Sequence, residues 1–257
     1  MTHDSTIAGT AGRGGDSGAS QTNWSLIYQA AQTGSPGSVE AWEQLARRYW
    51  PAIYAYIRKS GRGVDVAADL TQGFVCEVMM GRHLLESADP ERGRFRTLLL
   101  TALKNYLVEQ HRRATRRKRA PYGKRVLELD GPDSVMVQVP TDATPDYVFS
   151  AQWGATLVKR VLEQVRAECE KEGLTAHWTV FELRVARPML LGDEPVPYAD
   201  LVDRLSLKDA AQAANMMITV KRRFARALLA EVQETVANPT DVEDELHALV
   251  RDLEKRA

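Results

Sequence analysis

The sequence predicts an all-α chain of two helical domains joined by an irregular linker. Three observations carry that prediction. Apolar residues recur at spacings of three and four through most of the chain, as in helices that bury one face. Strict alternation, the pattern of a half-buried strand, is confined to SVMVQV at 134–139, which allows one short strand and no sheet. Between the two helical stretches, residues 120–148 are rich in Pro, Asp and Gly, as interdomain linkers are.

Residues 1–22 are Gly, Ser, Thr and Ala with almost no large apolar group, so burial does not offset ordering and the tail is expected to be disordered. A first domain is expected over 23–119, with order beginning near Trp24. The turn TGSPGS at 33–38 separates a short helix from SVEAWEQLARRYWPAIYAYIRKSG. There Ala41, Leu45, Tyr49, Ile53, Tyr56 and Ile57 share one helical face. Ser38 is placed as its cap, and Pro51 marks a kink or a break. In GVDVAADLTQGFVCEVMM, Val66, Leu70, Phe74 and Val78 repeat every four residues as a buried stripe, with Asp69, Gln72, Gly73 and Cys76 on another side. ADPERG at 88–93 is turn chemistry.

The next helix, GRFRTLLLTALKNYLVEQHRRATRRKR (93–119), changes character along its length. Leu99, Ala102, Leu103, Tyr106 and Leu107 form one apolar face. Beyond Val108 that face gives way to Arg112, Arg113, Arg116, Arg117, Lys118 and Arg119, with Lys104 ahead of them. Residues 91–125 carry twelve Lys or Arg against two Glu, in a chain whose formal net charge is zero. So segregated a charge is the footprint of a polyanion contact, and the guanidinium fork matches phosphate. A solvated helix end is the alternative.

A second helical domain is expected over 149–236, beginning with FSAQWGATLVKRVLEQVRAECEKEG, where Gly173 sits as a left-handed C-cap. VPYADLVDRLSLKDAAQAANMMITVKRRFARALLAEVQ then reads as helix, tight turn, helix. On the second of these helices Ala213, Met217, Val220, Phe224 and Leu228 form a core stripe. Gln212, Asn215, Thr219, Arg222 and Arg226 face the other way. Amides first and arginines later is the order that a helix entering a major groove needs, with base edges read near its N-terminus and phosphates held further along. Residues 237–257 are expected to form an acidic amphipathic helical extension.

YWPAIYAYIRKSG, AADLTQGFVCEVM and ADPERGRFRTLLLTALKNYLVEQHRRATRRKR together resemble domain two of the bacterial sigma-70 family of RNA polymerase sigma factors, of the short extracytoplasmic-function (ECF) type. QAANMMITVKRRFARALLAEV is similar to the domain-four helix-turn-helix of a subgroup of them, although the turn SLKDAAQAAN is one residue longer than usual. The resemblance implies a transcription initiation factor with a sigma domain two-like bundle (23–119) and a sigma domain four-like helix-turn-helix (149–236). The first would dock on the clamp helices of the polymerase core through Asp69, Leu70, Gln72 and Phe74. It would bind the promoter −10 element through Arg94, Phe95, Arg96, Lys104, Asn105, Arg112, Arg113, Arg116, Arg117, Lys118 and Arg119. The second would read the −35 element with Gln212, Asn215, Thr219, Arg222, Arg223 and Arg226. Promoter DNA and core polymerase are the implied partners, with an anti-sigma protein a further one that the resemblance allows. The other readings of the residues are a stand-alone helix-turn-helix regulator that does not bind polymerase, and a membrane-surface or helical scaffold protein that uses the basic patch only for its charge.

No phosphate loop of the GxxxxGK[ST] form and no HExxH motif is present, and the five histidines are scattered. The chain is therefore read as non-enzymatic, with no cofactor and no metal. No apolar run approaches the roughly 18 residues of a membrane span. Cys76 and Cys169 are read as buried free thiols in a reducing cytoplasm, and no signal peptide is expected.

Overall fold

A computed structural model describes residues 25–32, 34–81, 84, 95–117, 140–233 and 246–247. The described residues are mostly helical and contain no strand. Their helices are α1 (Ser25–Ala31), α2 (Ser38–Lys59), α3 (Val64–Phe74), α4 (Phe95–Arg117), α5 (Pro145–Lys171), α6 (Thr175–Phe181), α7 (Arg187–Leu191), α8 (Tyr198–Leu205) and α9 (Ala210–Gln233). The tail 1–22, the ADPERG turn and the SVMVQV segment lie outside the described residues. Of 237–257 only Leu246 and His247 are described, both helical.

α2 runs through Pro51 without a break, and its predicted stripe is buried. Ser38 is its first helical residue rather than its cap; Gly37 precedes it at φ 91°, a conformation that suits glycine. α3 continues into a π-helical turn, Val75–Met80. A second π-helical turn, Glu182–Ala186, joins α6 to α7. Pro188 follows it, and a proline ring there would crowd the carbonyl four residues back in a regular α-helix.

α5 starts four residues earlier than the linker expectation. Thr144 caps it by accepting a hydrogen bond from the Tyr147 N–H at 3.2 Å, and Pro145 occupies its first turn. Its other end closes as a Schellman motif around Gly173 at φ 72°. The Leu174 N–H bonds to the Cys169 carbonyl at 2.7 Å, and the Gly173 N–H to Glu170 at 3.2 Å.

The helices of the two expected domains share buried contacts. One buried cluster runs from Ile27 in α1 to Val232 in α9, taking in Tyr49, Phe74, Phe95, Trp153 and Phe181. α5 is its spine. α2 lies antiparallel to it: Lys59 donates to the Thr141 carbonyl just ahead of α5 at 2.7 Å, while Arg48 and Arg160 both reach Glu231, at 3.2 and 3.5 Å. α4 is antiparallel too, with Lys104 on Asp146 at 2.6 Å and the Arg96 guanidinium 4.8 Å from the centre of the Trp153 ring. α9 lies antiparallel along the other end, where Arg223 pairs with Glu172 at 2.7 Å and Glu231 with Arg160. The sequence suggested separate bodies because periodicity reports which face of a helix is apolar, and says nothing of which helix covers it. A smaller core, Val180, Leu201 and Ala213, with Leu183, Val196, Tyr198 and Met217 around it, holds α8 against α6 and α9.

Candidate nucleic-acid interface

α4 is a helix with a docked half and an exposed half. Phe95, Leu99, Leu103 and Tyr106 are all buried, and Phe95 packs edge-on against Tyr49 with ring centroids 5.4 Å apart. Phe95 has no exposed surface, so it is a core residue and not a platform on which a base could stack; that expectation is corrected. Past Leu107 the side chains turn to water: Val108, His111 and Arg112 are exposed. Arg113 is half-buried and bonds to Glu109 at 2.5 Å, with Glu77 of the α3 extension at 3.6 Å. Arg116 and Arg117 occupy the last turn. Arg94, Lys118 and Arg119 lie outside the described residues.

Two more of the expected −10 residues are engaged within the fold. Arg96 lies over the Trp153 ring, so part of its role is packing. The hydrogen bond to Asp146 holds the Lys104 ammonium above its ordinary pKa. Both partners of that pair are about half exposed, and exposed pairs of this kind are readily exchanged for another anion. Asn105 beside it is exposed. Burial, and then the Asp146 charge, push the neighbouring Tyr56 phenol upward, so it stays protonated in the neutral range.

On α3, Asp69 is exposed, and Leu70 and Gln72 are half-buried. Phe74 is fully buried, edge-on to Tyr106 at 5.5 Å, so it supports the helix from behind and does not meet a partner. Val66, expected in the buried stripe, is 50% exposed instead. The outward side therefore carries Val66, Asp69, Cys76 and Met80. Gly73 explains the close approach of α3 and α4: a Cβ there would lie 2.4 Å from the Tyr106 hydroxyl oxygen.

α8 and α9 form the helix-turn-helix. The turn pivots on Ser206 at φ 51°, a left-handed position, and the Leu207 N–H closes back on the Val202 carbonyl at 2.9 Å. Leu201 and Ala213 are buried across the turn. On α9 the predicted split is observed. Ala213 and Val220 are buried and Met217, Phe224 and Leu228 half-buried, while Gln212, Asn215, Thr219, Arg222 and Arg226 are exposed. Gln212 has a local task, since its Oε1 accepts from the Lys208 N–H at 2.7 Å and its own N–H donates to Asp209 Oδ1 at 2.8 Å. Asp209 thus caps α9 as the first half of a capping box does, while Gln212 reaches back one residue beyond the cap, to Lys208; the sequence signal, Asp three residues before Gln, was there to be read. Arg223 points back to Glu172, whose carboxyl is held below its usual range by that bond. The exposed polar set on this side of α9 is thus Asn215, Thr219, Arg222 and Arg226, followed by no acidic side chain until Glu231.

No family model, curated protein or solved structure matches this chain. Among the described residues, no cluster of His, Cys, Asp and Glu is placed to hold a metal, and no helix is long and apolar enough to cross a membrane.

Proposed function

We propose that this protein is a transcription initiation factor: it binds the core of bacterial RNA polymerase and directs it to promoters through two DNA contacts. The observation that carries the reading is α9. It follows a tight turn from α8, is anchored by its apolar stripe, and turns Asn215, Thr219, Arg222 and Arg226 outward. Asn pairs with adenine and Arg with guanine in a major groove, so this order of side chains suits −35 recognition. The exposed end of α4, with Asn105 and Arg112, supports the −10 contact. The outward side of α3, with Asp69 beside exposed Val66 and Met80, supports polymerase docking. Relative to the resemblance, one point changes: the two DNA surfaces stand on one shared core.

The second reading is a helix-turn-helix regulator that binds duplex DNA alone, which the shared core suits equally well. Run-off transcription from a promoter library, with purified core polymerase and the full chain, separates the two. The proposal expects initiation that depends on the added chain, and co-purification of the chain with core. Tight duplex binding without transcription and without core binding would establish the regulator instead.

A further inference from the structure

Resting on the DNA-binding reading above, we infer that Asp146 is a built-in competitor of the nucleic acid: it occupies the Lys104 ammonium in the free chain, and a phosphate group must displace it. Lys104 stands on α4, and the start of α5 brings Asp146 to it from 42 positions further along the chain, at 2.6 Å.

Asp146 is held at that spot by contacts that do not involve Lys104. Thr144 caps α5 on the Tyr147 N–H, and Pro145 sets its first turn. Just ahead, the Thr141 carbonyl accepts from Lys59 of α2 at 2.7 Å. A carboxylate fixed in this way competes at a high effective concentration, whatever anions the solvent holds.

Opening the pair still costs little. Its side chains are 46% and 50% exposed, so water takes up either charge. Without Lys104, Asp146 remains in the first turn of α5, where the helix dipole favours a negative charge. The buried Tyr56 phenol beside the pair stays neutral and replaces neither partner. Asp142, the other acid just ahead of α5, is exposed and forms no ion pair among the described residues, so it serves as a control.

The test is a mutant cycle on the full chain, reading binding to a DNA duplex with an unpaired central bubble. Asp146→Asn should tighten binding about two- to fivefold, the size of an exposed ion pair. Lys104→Gln should flatten the slope of log K against log salt by about 0.7–0.9, as for one lost phosphate contact. In the Lys104→Gln background, Asp146→Asn should gain no more than Asp142→Asn, which removes an equal charge without touching the pair. An equal Asp146→Asn gain with and without Lys104 would make Asp146 an ordinary repulsive charge. Weaker binding by Asp146→Asn would make the pair a support for α4. Either result overturns the competitor, and so does an unchanged slope in Lys104→Gln. If Arg112→Gln flattens the slope while these results fail, DNA binding stands without the competitor. If no form of the chain binds the probe, the DNA reading fails and the competitor with it.

Discussion

α4 and α9 are both helices with an apolar stripe and a run of cations, yet they are anchored and charged differently. α4 is held by fully buried aromatic and leucine side chains over its first half, and three of its described cations are engaged, Arg96 with the Trp153 ring, Lys104 with Asp146, and Arg113 with Glu109 and Glu77. α9 rests on a mixed support: a small core at its start, half-buried Phe224 and Leu228 in its middle, and the Arg48–Glu231–Arg160 network at its end. Among its described cations only Arg223 is spent on a carboxylate, while Arg222 and Arg226 stand exposed on the outward side. The difference fits a division of labour in which α4 offers a charge that other anions displace, and α9 offers a preset row of hydrogen-bonding groups.

The largest effects should come from the anchors of α4. Phe74→Ala or Phe95→Ala should each cost about 3–5 kcal/mol of global stability in denaturant titrations, as buried aromatic truncations do. A loss below about 1 kcal/mol would return either ring to the surface role the resemblance assigns it. For α9, Glu231→Ala removes the carboxylate between two arginines and should cost about 3 kcal/mol. Hydrogen exchange should then quicken most in the last turns of α9. Uniform quickening would mean the network does not act as a local fastener.

Gly73→Ala sharpens the α3–α4 contact. The added methyl meets the Tyr106 hydroxyl, and overpacking of this kind costs about 1–3 kcal/mol. Adding Tyr106→Phe should recover much of the loss, and a double mutant no more stable than Gly73→Ala would refute the clash. The smallest effect concerns pH. The Glu172 carboxyl has a folded pKa below its unfolded value, so its contribution is complete above the ordinary carboxylate pKa of about 4.5 and fades as pH falls through the depressed folded value. Acid titration should loosen α9 near Arg223 in that window, and Glu172→Gln should remove that pH dependence.

Much of this was legible in the sequence where the signal is local. The stripes of α4 and α9, the Gly173 cap and the exposed polar face of α9 follow from periods and caps that one helix carries by itself. What was not legible is long-range. Arg48 and Glu231 lie far apart in sequence, and nothing in either neighbourhood announces that they meet. Periodicity placed Phe74 in a buried stripe, as observed, but the resemblance also made it and Phe95 contact residues, because a motif fixes residue identities without saying which of them are inward supports. Val66 followed its four-residue spacing, but the inward side of α3 runs through Ala67, Thr71 and Phe74, one position round from Val66 and Leu70.

The central claim is that two separate helix surfaces, on α4 and on α9, bind the same nucleic acid through its phosphates. The most direct test is the salt dependence of duplex binding by the full chain, compared with Arg112→Gln and with Arg222→Gln, Arg226→Gln. Removing one arginine–phosphate pair should flatten the slope of log K against log salt by about 0.7–0.9, so the two changes should flatten it separately and add when combined. An unchanged slope in either variant would mean that its surface touches no phosphate, and the two-surface account would be wrong.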